Sequence, residues 1–102
     1  DKVLVIGKSQ MQVKIISSKF NEINEMIIST LDRGSTLIHG ETGFKHNKYP
    51  IVLTVVNNRE LTHLNNYVYD IDPDAFMIIN KVNEVRGKGF SSEKKYEKKA
   101  NN

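Results

Sequence analysis

Along this chain the spacing of apolar residues switches four times between the two-residue period of a strand and the three-to-four-residue period of a helix. That order of switches leaves few folds open. Met11, Val13, Ile15 and Ile16 alternate and then double, which predicts a strand over Met11 to Ser17. Phe20, Ile23, Ile27 and Leu31 follow at spacings of three, four and four, one stripe of a helix. Ser18 is its predicted N-cap, Glu22 and Glu25 lie near the positive end of its dipole, and Arg33 then Gly34 supply a cationic last turn and a left-handed stop. Ser35 to Glu41 and Tyr49 to Val56 read as antiparallel neighbours around a mobile loop, Thr42 to Lys48. Asn57 or Asn58 caps a second helix with the stripe Leu61, Leu64, Val68 and Ile71, which Asp72-Pro73-Asp74 stops. Ala75 to Val85 is the last strand. Strand, helix, strand, strand, helix, strand is the ferredoxin-like βαββαβ plan. It is an α+β fold with a four-stranded antiparallel sheet and two helices on one face.

The aliphatic supply agrees with that plan. Ile and Val number 20, Leu and Ala only 8, and branched side chains favour pleated surfaces. A length of 102 residues allows one domain and one core. With no Cys there are no disulfides, thiolate metal sites or thiol nucleophiles. The longest apolar runs, such as Val3 to Ile6, are far below the ~18 residues of a membrane span. Of the net charge of +3, the segment from Ser91 onward holds +2. The folded part is nearly neutral and gives no electrostatic warrant for a nucleic-acid partner. Ser91 to Asn102 has only Tyr96 and Ala100 as apolar residues, so 91–102 is expected to be a disordered Lys-rich tail, with solvation favoured over lipid contact. Residues 1–10 are read as a connector and 11–90 as the domain; Val3 to Ile6 is left open between an edge strand and the end of a preceding helix. The chain opens at Asp1 with no Met and no leader, and reads as a piece of a longer protein.

Several motifs are weaker than they look. Gly7-Lys8-Ser9 lacks the glycine five residues before its own that a phosphate-wrapping loop needs, because Lys2 stands there. Asp70, Asp72 and Asp74 have calcium-loop spacing, but Ala75 replaces the turn glycine and Lys81 the bidentate Glu, so a helix stop is the better reading. His39, His46 and His63 have no ligand spacing. No Ser sits in a nucleophile elbow, the third strand has one aromatic where base stacking needs more, and Ile16 to Lys19 offers no Arg cradle. No acid, base or nucleophile set emerges, so neither an enzyme nor a cofactor is expected. The glycines are more informative: Gly40 and Gly43 flank Glu41 and Thr42, and Gly87 and Gly89 bracket Lys88, where backbone can approach a ligand closely.

Ile15-Ile16-Ser17, Leu31-Asp32-Arg33-Gly34-Ser35-Thr36, His39-Gly40-Glu41-Thr42-Gly43-Phe44, Asn58-Arg59-Glu60-Leu61, Asp70-Ile71-Asp72-Pro73-Asp74-Ala75-Phe76 and Glu84-Val85-Arg86-Gly87-Lys88-Gly89-Phe90 occur in this order. Over about residues 1 to 90 this resembles the C-terminal domain of bacterial YitT-family membrane proteins. The resemblance implies several membrane helices before Asp1, this domain on the cytoplasmic side of the cell membrane and soluble as a fragment, a PII-like core, and no catalysis. The family pattern differs at Thr42, where it has glycine, and over Phe44, Lys45 and His46.

The resemblance implies a regulatory sensor in which a small anionic metabolite or nucleotide binds between subunits, near Gly40, Glu41, Thr42, Gly43, Phe44 and Lys45, with Gly87, Lys88 and Gly89 reaching in from the last strand. The alternative is an assembly module without a ligand. Alternate residues of all four strands place apolar groups on both faces of the sheet: Ile51, Leu53 and Val55 point one way, Val52 and Val56 the other, with Thr54 interrupting. A homo-oligomer is expected from these faces, and the PII-like resemblance implies a trimer, with a dimer as the alternative.

Overall fold

The computed structural model describes residues 3–86 of the chain, and side chains over 10–83. Strand β1 (Val3–Ile16), helix α1 (Phe20–Ser29), strands β2 (Thr36–Ile38) and β3 (Ile51–Asn57), helix α2 (Asn58–Ile71) and strand β4 (Phe76–Arg86) follow in that order. The strands form one antiparallel sheet in the order β2-β3-β1-β4, the ferredoxin-like arrangement.

Register fixes what each face carries. Met11 pairs with Val56, Val13 with Thr54 and Ile15 with Val52 on one side, and with Lys81, Ile79 and Met77 on the other. Val13, Ile15, Val52 and Val56 are fully buried beneath Ile23 and Ile27 of α1 and Leu64 and Val68 of α2. This is the helix-covered face. Thr54, its one polar member, is also fully buried, and its hydroxyl donates to the Gly34 carbonyl at 2.8 Å, which removes the cost of sequestering it.

Among the described residues, no helix lies on the opposite face. It carries Ile38 on β2; Ile51, Leu53 and Val55 on β3; Gln10, Gln12, Lys14 and Ile16 on β1; and Phe76, Ile78, Asn80 and Val82 on β4. It is therefore apolar at one end and polar along the middle of β1, rather than uniformly hydrophobic. The apolar end is where β1 and β2 finish and β3 and β4 start, with Ile38 beside Ile51 and Ile16 beside Phe76.

Several boundaries differ from the sequence reading, each for a local reason. β2 spans three residues instead of Ser35 to Glu41. After Ile38 and Ile51, the next pair in register would set His39 against Pro50, and proline has no N–H to extend the ladder. β1 begins at Val3, not Met11; Val3 to Val5 pair with Arg86 to Glu84, and the register shifts between Val5 and Gln10. Val3 to Ile6 is thus extended, not helical.

The helix α1 starts from Lys19, not Ser18, with no side-chain cap, because the Ser17 hydroxyl accepts the Lys19 N–H at 2.9 Å. Its exit is also different. The left-handed residue is Asp32, at φ 61°, rather than Gly34, and Arg33 does not end a helical turn but crosses to α2. There it donates through Nε (2.7 Å) and a terminal nitrogen (2.5 Å) to Glu60 Oε2. The other Glu60 oxygen accepts the Asn57 N–H, while the Asn57 side chain accepts the Glu60 N–H, a capping box. One carboxylate thereby caps α2 and ties the end of α1 to its start.

Candidate functional site

The predicted ligand residues Gly40 to Lys45 lie in the β2–β3 connection, at the apolar end of the sheet. Hydrogen bonds cross the connection that the composition suggested was a mobile loop. The Thr42 N–H donates to the Asn47 carbonyl (2.8 Å), the His46 N–H to the Thr42 carbonyl (2.9 Å), and the Asn47 N–H to the Thr42 hydroxyl (2.9 Å). His46 sits at φ 58°, and its Nδ1 lies 2.6 Å from Glu41 Oε2. Thr42 supplies three of these contacts, which glycine, the residue of the family pattern, could not do in full. The Thr42 hydroxyl adds a third closing bond to the two that the main chain makes.

The turn presents Phe44 almost wholly to water, at 91% exposure, with Lys45 and Lys48 also exposed. Gly43 has open space around its Cα, while a Cβ on Gly40 would meet Ile51 at ordinary contact distance, 3.6 Å. Neither glycine adopts left-handed backbone. The structure brings Gly40, Glu41, Thr42, Gly43, Phe44 and Lys45 together in one turn. Gly87, Lys88 and Gly89 lie outside the described residues, as does the 91–102 tail.

Two contacts at this end had no signal in the sequence. Phe20 at the start of α1 lies against Tyr49, ring centroids 6.3 Å apart. The buried Ser17 donates its hydroxyl to Asp72 at the end of α2, and Asp72 also accepts the Asp74 N–H at 2.9 Å. Asp72 therefore serves the helix stop, as its place in Asp70-Ile71-Asp72-Pro73-Asp74 suggested. The Ser17 hydroxyl, then the Asp74 N–H, and more weakly the charge of Lys19 hold its carboxyl below the ordinary value of 3.8, against a small opposing effect of desolvation. A carboxylate with a lowered pKa in the folded state stabilises the fold above its unfolded pKa, and that contribution is lost as pH falls through the folded value. Ser17→Ala should raise the Asp72 pKa toward the ordinary value; NMR titration of the side-chain carboxyl reads this directly, and an unmoved midpoint would rule out the hydroxyl as its cause.

Among the described residues, no group of three or more His, Asp or Glu gathers in a way that could hold a metal ion. His46 faces Glu41, and His63 stacks on Tyr67 with centroids 6.4 Å apart. No helix among the described residues is long and apolar enough to cross a membrane.

The chain is 33% identical over 89 residues to the UPF0750 membrane protein YvjA of Bacillus subtilis (strain 168), covering 86% of this chain and 32% of that protein. It is 32% identical over 85 residues to the UPF0750 membrane protein YpjC of the same organism, covering 83% and 29% respectively. The chain thus spans about a third of the length of these relatives. A crystal structure of an uncharacterized protein conserved in bacteria, DUF2179, from Eubacterium ventriosum superposes with a TM-score of 0.61 at 31% identity, over 70% of this chain and 97% of that one. Residues 33–87, from Arg33 through the turn and α2 to the end of β4, match the family model described as uncharacterized protein conserved in bacteria (DUF2179). The chain belongs to the DUF2179 family, whose relatives here include bacterial membrane proteins.

Proposed function

We propose that this chain is a non-catalytic, PII-like regulatory domain at the cytoplasmic, C-terminal side of a bacterial membrane protein, acting by homo-oligomerisation, with a trimer as the assembly. The observation that carries the reading is the helix-free sheet face. Ile38, Ile78 and Phe76 stand 38%, 39% and 60% exposed on it, beside the half-buried Ile16, Ile51 and Leu53. A contiguous apolar patch on a small domain marks an interaction surface. Packing it against further copies ties the states of the membrane-embedded parts of several protomers together, and that coupling is the regulation proposed. Ile78→Lys places a charge on the patch without touching the core. It should turn the assembly into folded monomers by light scattering; an assembly that survives it removes the face from the interface.

A second reading places a small anionic metabolite or nucleotide at the same end, and the exposed Lys45 and Lys48 beside Gly43 favour it. Gly40, Glu41, Thr42, Gly43, Phe44 and Lys45 would then border an inter-subunit site with Gly87, Lys88 and Gly89. Calorimetry with a nucleotide panel tests it: heat lost on Lys45→Ala supports the site, and no heat for any nucleotide leaves the assembly reading alone. Because the turn is already closed by its own hydrogen bonds, such a ligand would bind a preformed surface instead of ordering a loop.

A further inference from the structure

We infer that Phe44 is the docking residue of the assembly: its ring inserts against the apolar end of the helix-free sheet face of a neighbouring copy, near Ile16, Ile38, Ile51 and Phe76. The inference rests on the homo-oligomer reading and adds the contact that makes it specific.

Three observations carry it. The first is that the chain holds Phe44 out in water on a turn fixed by three hydrogen bonds and the His46–Glu41 pair. An apolar ring on a floppy loop would be unremarked surface, but one on a stiffened turn is preorganised, so its burial against a partner costs little ordering entropy. Burying a phenylalanine removes roughly 150–250 Å² from water.

The second is area. Three strands of about seven residues and the three-residue β2, about 4.8 Å apart and rising ~3.3 Å per residue, offer a face of roughly 380 Å². A stable interface needs about 800 Å² per partner. The face falls short by itself, the more so because Gln12 and Lys14 occupy its middle. A protruding apolar residue from the same surface region supplies much of the difference.

The third is what else could cover the patch. From Ser91 to Asn102 the chain contains four Lys with only Tyr96 and Ala100 as apolar groups. That composition does not suit an apolar patch beside Lys14. A second copy brings a Phe44 of its own. Each copy then offers one knob and one patch, a head-to-tail contact that repeats around a ring and closes at three if the rotation allows.

The absence of Cys makes the test clean. Two single-cysteine variants, Lys45→Cys, which leaves the neighbouring Phe44 ring in place, and Ile78→Cys, are purified separately, mixed and mildly oxidised. The expected product is a disulfide-linked pair containing one chain of each, formed faster than either variant links to itself. Alongside, Phe44→Ala should weaken self-association of the full chain at least tenfold by sedimentation while leaving its circular dichroism and thermal midpoint unchanged. If Ile78→Lys dissociates the assembly but Phe44→Ala does not and the mixed pair fails to form, the sheet face stands as the interface and the Phe44 contact is refuted. If the unmodified chain is monomeric, both readings fall together. Loss of binding to phosphatidylglycerol vesicles in Phe44→Ala, with self-association intact, would reassign the ring to a lipid surface and overturn the inference.

Discussion

Leu64→Ala lowers the unfolding free energy by about 3 kcal/mol, because a leucine with no solvent exposure leaves a cavity that its neighbours cannot collapse into. Leu64 sits in the same buried cluster as Ile15, Ile23, Ile27, Val52 and Val68, where both helices meet the central strands. Close packing there means that neither helix can settle without moving the other. Urea denaturation followed by circular dichroism measures the effect as a fall in midpoint at constant slope. The control is Ile79→Ala, on the helix-covered face of the sheet but on edge strand β4 and 44% exposed, which should cost well under half as much. Equal losses at the two sites would place the core elsewhere than between the helices and the two central strands.

Glu60→Ala should cost a similar amount, about 2–4 kcal/mol, although Glu60 belongs to no hydrophobic cluster. Three roles end together. The Asn57 N–H loses its acceptor, the capping box of α2 is halved, and the Arg33 guanidinium loses the carboxylate that takes two of its N–H groups in a site where the two side chains are only 10% and 17% exposed. A cap contributes typically ~1 kcal/mol, so the larger part of the loss comes from the Arg33 side. Glu60→Gln separates the two: its amide oxygen can still accept from Asn57, so it should recover the cap but not the ion pair. Urea midpoints in the order wild type, Gln, Ala are expected. A Gln variant no better than Ala would mean that the ion pair contributes all of it.

What the sequence made legible is what periodicity encodes. The alternation through Met11 to Ile16 and through β3, and the 3.6-residue stripes ending at Leu31 and Ile71, placed every helix and strand in order and named most of the core. It placed two faces on the sheet correctly but not their difference in character. That difference arises because β1 alternates its apolar residues with Gln12 and Lys14, and only the pairing register shows that these lie beside Val55 and Leu53. The remaining errors are at ends, where a few specific hydrogen bonds decide. Arg33 looked like the last turn of α1 because a cation before a glycine usually is; its partner Glu60 is 27 residues away, and no local pattern announces it. Pro50, by contrast, carried its information in plain view. A proline opposite His39 limits β2 to three residues once the register is known.

The candidate site was legible only as a location. Glycine spacing drew attention to Gly40 to Phe44, but the feature that matters in the structure is the opposite of glycine flexibility. Thr42 and Asn47 close the turn, and His46 and Glu41 brace it. Side-chain to main-chain bonds across five residues are hard to read from composition, because Thr, Asn and His are equally common in open loops.

Sedimentation equilibrium of the unmodified chain at ~100 μM and moderate salt bears most directly on whether the helix-free face is an interface. The proposed trimer, packed through an apolar end exposed at Ile38, Phe76 and Ile78, predicts a single species with three times the 11.7 kDa mass of one chain, dissociating on dilution. A mass of 11.7 kDa that does not change over that concentration range would contradict it, and would leave Phe44 and the sheet face without a partner among copies of this chain.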